Sequence, residues 1–127
     1  MSAVVLDAGA LVAVDRDDRA MMARLRAAQQ HGLELRSNAM VVAQVWRDRH
    51  GRQVNLARLL GAVDVRAVNQ SDGRDAGVLQ AEAGTTDPID ATVVFLAAPG
   101  DRILTSDHGD LARLAAAAGN RPVIVTC

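Results

Sequence analysis

At 127 residues the chain has the length of one domain, and folding at that size removes roughly two-thirds of the extended surface from water, enough for a single core. With 50% hydrophobic and 23% charged residues it is neither charge-disordered nor apolar enough for a membrane, and no apolar run approaches the roughly 20 residues that span a bilayer. A net charge of −1 supplies no global field for a polyanion, so any grip on nucleic acid must come from a local patch.

Residues 3 to 6 (AVVL) form a short apolar run of the fully buried strand type, stopped by Asp7, Ala8 and Gly9. Between Asp17 and Gln30, Met21, Leu25 and Ala28 follow helical spacing with Met22 beside them, and Gly32 is a stop signal. Asn38 caps an expected helix running to about Arg49, apolar except for Gln44 and Arg47, which share a face. Asn55 to Leu60 reads as a short helix closed by Gly61, and Val63, Val65 and Ala67 alternate with Asp64 and Arg66 as in a strand. Ser71 is expected to cap a helix ending at Gly84. Asp87 before Pro88 marks the start of a helix to Ala98, apolar on most sides and therefore buried. RILT, residues 102 to 105, reads as a strand and turns at Ser106 and Asp107 into an amphipathic helix carrying Leu111, Leu114, Ala115 and Ala118, before a last strand over Val123 to Thr126. Strands alternating with helices predict a three-layer α/β/α fold with a mainly parallel sheet of four or five strands, in one domain over residues 1–127. Such sheets bind ligands at the carboxyl ends of their strands.

Asp7 and Asp107 follow two of these strands, so both acids stand at one edge of the sheet if the strands are neighbours, roughly 5 Å apart. Two charges at that distance repel by about 3 kcal/mol at an effective dielectric near 20, which calls for a cation. Each acid also has a plainer reading: Asp7 and Asp107 as helix caps, Asp110 as a first-turn acid, Asp87 and Asp90 as the ends of a capping-box-like pair. Asp90 resists it, because it opens a nearly all-apolar helix, where a carboxylate is costly unless paired or metal-bound. Carboxylates are hard ligands suited to magnesium or manganese, and the isolated histidines suggest no zinc set. The lone cysteine, Cys127, permits neither an intrachain disulfide nor a thiolate centre. Trp46 and Phe95 are the only aromatics, too few for a base-stacking platform, which leaves phosphates as the handle on nucleic acid. The 14 basic residues are all arginine; receiver domains and haloacid-dehalogenase-type phosphatases, which also place aspartates at strand ends, rely on a lysine and are set aside.

LDAGALVA near the start, DPIDATVVFLA late and ILTSDHGDLARL near the end together resemble the PIN-domain nucleases, specifically the VapC-type toxins, over essentially the whole chain. The resemblance implies a PIN-like parallel sheet, Mg2+ or Mn2+ held by several acids, and endoribonuclease activity on structured RNA such as tRNA or rRNA that leaves a 5′-phosphate. It assigns Asp7, Asp90 and Asp107 as the metal-binding catalytic acids, Thr105 as the start of the T-x-D motif, and Asp110 as a secondary acid; Asp87 is a further candidate outside the resemblance, an acid that could make up a missing charge. Where the family usually carries glutamate in A-E-[LV]-x-R, this chain has AQVWR, and Gln44 brings an amide oxygen without charge. That substitution leaves a second reading open, a weak or inactive PIN-like module that binds RNA or protein. Arg47, Arg49 and Arg52, in the RDRHGR stretch, are the candidate phosphate contacts, with a solvated helix end or a salt bridge as the alternative. By the same resemblance the partners are a cognate antitoxin and a second copy in a homodimer; Met21, Met22 and Leu25 serve either as an adaptable surface for the former or as core. The N-terminal residues have neither the basic start nor the cleavage site of a secretory signal, so a cytoplasmic protein without a membrane partner is expected.

Overall fold

The computed structural model describes residues 2–48 and 50–127. Five parallel strands, β1 (Ala3–Leu6), β2 (Glu34–Asn38), β3 (Asp64–Arg66), β4 (Arg102–Thr105) and β5 (Val123–Thr126), lie in the order β3-β2-β1-β4-β5. Seven helices connect them: α1 (Ala8–Asp15), α2 (Arg19–Gln30), α3 (Ala39–Val45), α4 (Val54–Gly61), α5 (Gln70–Ala83), α6 (Pro88–Val94) and α7 (His108–Ala118). α1 packs on α2, α3 and α4, while α5, α6 and α7 pack on one another, giving the expected three layers. α3 touches both groups. None of the described helices is long and apolar enough to cross a membrane.

The chain leaves β1 outward through β2 and β3, then returns to lay β4 on the opposite flank of β1. Such a reversal opens a crevice at the carboxyl ends of the two strands that flank it. The register pairs Leu6 with Leu104, and the Asp7 N–H donates to the Leu104 carbonyl at 3.0 Å, so the residues just past β1 and β4 face that crevice together. β1 is buried throughout, as its uninterrupted AVVL run requires.

Several local readings need correction. β2 is a strand that the apolar pattern does not announce: Arg36 donates to the Leu96 carbonyl at 2.7 Å and pairs with Glu34, and the Ser37 hydroxyl donates to the Leu6 carbonyl at 2.8 Å. The expected helix to Arg49 stops at Val45, because Trp46 is extended and the loop beyond is tied by side chains. There Asp48 accepts from His50 and Gln53 N–H, and the Gln53 amide accepts from Arg47 N–H. α5 is capped by Asn69, not Ser71, through a capping box with Asp72. α6 ends at Val94 rather than Ala98. Met21 and Leu25 are buried in the core, which removes them as a partner surface; Met22 is half-buried against it.

Candidate functional site

Asp7 occupies the cap position of α1 yet makes no capping bond with its side chain. Its Oδ2 instead accepts a 2.7 Å hydrogen bond from the Thr105 hydroxyl, across from β1 to β4. The same Thr105 oxygen accepts from the Asp107 N–H at 2.9 Å, so one hydroxyl fixes both the Asp7 carboxylate and the turn that carries Asp107. Close approach is built in: a Cβ on Gly9 would stand 2.9 Å from Ser106 Oγ and 3.1 Å from Ser106 N, so the start of α1 and the end of β4 meet only because residue 9 has no side chain.

Asp90 lies in the first turn of α6 and is buried. It is not the return half of a capping box. Asp87 accepts from the Ile89 N–H at 2.9 Å, while the Asp90 carboxyl lies beside those of Asp107 and Asp110. Asp90, Asp107 and Asp110 each offer an oxygen within 4.8 Å of the others. Asp7 stands outside that set but close enough to be felt, since its charge and that of Asp87 act on Asp90. Asp107 caps α7 only through a 3.4 Å contact with Asp110 N–H, leaving its carboxylate largely uncommitted. Asp110 is ion-paired with Arg113.

Burial, before any other influence, pushes the Asp90 carboxyl up to about 8, and the neighbouring charges of Asp7 and Asp87 push the same way. Burial also raises Asp7, against the opposing hydrogen bonds from Thr105 and Ala8. Acids held this far from their ordinary ionisation mark a pocket that gains from a cation, although Asp110 at its rim is already paired with Arg113. The donor set fits one: hard oxygens alone, from Asp90, Asp107 and Asp110 with Asp7 beside them, suited to magnesium or manganese rather than to a softer metal.

Gln44 sits in α3 with its Oε1 buried and without a hydrogen-bond partner among the described residues. α3 is tied to α6 by Asn38: its Oδ1 accepts from Met40 and Val41 N–H at 3.0 Å, and its Nδ2 donates to Thr92 at 3.0 Å, two positions beyond Asp90. This bridge was invisible to a reading that saw Asn38 as a cap alone. Among the described residues Arg47 makes no salt bridge; its guanidinium folds back onto the carbonyls of Ala43 and Trp46, at 3.0 and 2.7 Å. Arg52 is exposed, and Arg49 lies outside the described residues.

No family model and no curated protein matches this sequence. Among solved structures, a chain of VapBC2 from Rickettsia felis, bound to a DNA fragment from their promoter, superposes with a TM-score of 0.72 at 12% identity, covering 98% of each chain. The chain has a PIN-like fold. A second neighbour, from the structure of FitAB bound to an IR36 DNA fragment, matches with a TM-score of 0.62 at 11% identity over 97% of this chain and 94% of that one. At these identities the likeness is one of fold, and the site acids of this chain stand on their own geometry.

Proposed function

We propose that this chain is a Mg2+- or Mn2+-dependent endoribonuclease and the toxin of a toxin–antitoxin pair. The observation that carries the reading is the convergence of Asp7, Asp90, Asp107 and Asp110, from three separate stretches of sequence, on the crevice where the sheet reverses direction. Asp90, Asp107 and Asp110 would hold the ion, with Asp7 facing it from the end of β1. When bound, the ion supplies the positive charge that polarises the scissile phosphate and makes an attacking water acidic enough to ionise near neutral pH.

The chain's own groups prepare that event. The Thr105 hydroxyl orients the Asp7 carboxylate, and Asp90 holds a proton until a cation replaces it. Asp87 adds negative charge from the α6 cap. Gln44 contributes no charge, so the pocket binds its ion more weakly than one with glutamate there. Arg47, Arg49 and Arg52 would take backbone phosphates of tRNA or rRNA at the rim. The two neighbours come from VapBC2 and FitAB, each bound to DNA, and together with the resemblance in the motifs this supports a cognate antitoxin as the partner that silences the site. A homodimer in the cytoplasm completes the reading.

The test is incubation of the purified protein with total RNA and Mn2+, comparing the parent with Asp7→Asn and Gln44→Glu. Cleavage lost in the first and raised in the second is expected. RNA bound but never cut by the parent would favour the binding-module reading, and equal, metal-independent cleavage by all three would sink the assignment.

A further inference from the structure

Beside the acids lies a small cavity of about 130 Å³, lined by Asn38, Arg66, Asp72, Thr92, Phe95 and Leu96 among others. It is smaller than the roughly 300–1,000 Å³ that enclose whole drug-sized ligands, and so takes a single ring system. Its position follows from the register: Asn38 pairs with Arg66 at the carboxyl ends of β2 and β3, along the same sheet edge as Asp7 and Thr105. Strands in a sheet are about 4.8 Å apart, which places Arg66 roughly 10 Å from Asp7 along that edge. Thr92, in its wall, is two residues from Asp90 on α6.

The lining is chemically specific. Phe95, just past the end of α6, is 49% exposed although that helix is largely buried, so its ring is free to meet a ligand. Asn38 is 1% exposed, and of its two amide protons Thr92 takes one while no acceptor among the described residues takes the other. Arg66 uses its Nε on Asp64, at 3.1 Å, and its side chain also lines the cavity. An aromatic wall, a guanidinium plane and a buried amide donor together suit a flat heterocycle carrying a carbonyl or ring-nitrogen acceptor.

We propose that this cavity receives one nucleobase of the RNA, that of a nucleotide next to the phosphate held at the acids; the inference rests on the nuclease reading above. Trp46 and Phe95 cannot form a platform for a run of bases, but a pocket for one base needs only one ring. Specificity for a base near the cut is then set by Asn38 and Phe95, separately from the acids.

The first arm of the test does not depend on cleavage. The four ribonucleoside 5′-monophosphates, and ribose 5-phosphate as control, are titrated without divalent ion into the full chain to about 10 mM, where even a millimolar site fills. The readout is the NMR shifts of the Asn38 side-chain amide and the Phe95 ring. At least one nucleotide is expected to move both signals and ribose 5-phosphate neither. Phe95→Ala should weaken that binding by about five- to 150-fold, the range that base-on-aromatic stacking gives, while Phe95→Tyr retains it. An unmoved Asn38 amide, or equal shifts with ribose 5-phosphate, overturns the proposal. In the second arm, RNA carrying one abasic nucleotide at successive positions is cleaved with Mn2+; one position should lower kcat/KM in the parent but not in Phe95→Ala. Cleavage indifferent to every abasic position overturns the pocket and leaves the nuclease reading standing, whereas nucleotide binding without any cleavage does the reverse.

Discussion

The Thr105 hydroxyl donates its proton to Asp7 Oδ2 at 2.7 Å, and with no exposed surface it has no water to turn to instead. Thr105→Val keeps the shape and removes the bond, leaving a buried carboxylate and the Asp107 N–H without their shared partner, at a cost of about 1–3 kcal/mol. Because that bond is the main influence holding the Asp7 carboxyl down against burial, its loss moves Asp7 further up. Metal binding, which needs the ionised form, then shifts to higher pH and weakens about tenfold at neutral pH. Mn2+ titrations across pH check this, with Thr105→Ser expected to keep most of the parent's affinity. An unchanged pH dependence in the valine variant would mean that Thr105 serves packing alone.

Without divalent ion, stability should fall as pH rises. Asp90 is raised to about 8 in the folded chain, against about 3.9 when unfolded. The folded state therefore binds the extra proton between those values. The stabilisation is complete below about pH 4 and is lost as pH climbs through about 8. Asp7, also raised, adds in the same direction. Asp90→Asn should flatten this slope and raise the metal-free Tm at pH 8 by roughly 5 °C. Saturating Mn2+ should stabilise the parent far more than the variant, since only the parent offers the full carboxylate set. Thermal melts with and without the ion decide it; an identical pH slope in both proteins would place the strain elsewhere.

The parts of this architecture that the sequence revealed are those where polarity and position coincide. β1, β4 and β5 are apolar runs, and Asp7 and Asp107 announce themselves by ending two of them. Asp90 stands out as a lone acid in an apolar helix. β2 stayed hidden because ELRSN satisfies its polar groups inside the protein, Arg36 on Glu34 and Leu96 and Ser37 on Leu6, where a parallel strand ordinarily reads as hydrophobic. The stop of α3 at Val45 was equally unreadable, since it depends on Gln53 and Asp48 reaching back across the loop. Within the site, spacing could bring Asp7 and Asp107 to one edge. That Asp110 rather than Asp7 shares the tight oxygen set with Asp90 and Asp107 depends on distances between side chains, which spacing in the sequence does not carry.

Gly9 should resist substitution more than its place in a helix suggests. A methyl group there would meet Ser106 Oγ at 2.9 Å and its Cβ at 3.0 Å, so Gly9→Ala pushes the turn bearing Asp107 away from Asp7. Overpacking of this kind costs about 1–3 kcal/mol, and it should lower Mn2+ affinity as well as stability. Ser106→Gly removes both side-chain atoms of the clash, and in that background Gly9→Ala should cost about 1 kcal/mol less. Denaturant melts of the four proteins close the cycle; simple additivity would show that the two residues do not press on each other.

Asp101 separates a buried acid that builds the fold from those that build the site. It is as buried as Asp90, at 5% exposure, but its neighbours are donors: Ala3 N–H at 3.0 Å, Ala98 N–H at 2.9 Å and the Arg36 guanidinium at 3.9 Å. It also stands at the amino end of β4, opposite the crevice. Asp101→Ala strands the two amide donors, and Arg36 keeps Leu96 and Glu34; the change should cost about 3–5 kcal/mol, a large share of the roughly 5–15 kcal/mol that holds a domain together. The folded fraction should still bind Mn2+ with the parent's affinity, whereas Asp7→Asn should show the opposite pattern, weaker ion binding in a chain at least as stable. Urea melts paired with Mn2+ titrations measure both properties. Loss of ion binding in folded Asp101→Ala would mean that burial alone, and not the company an acid keeps, governs the crevice.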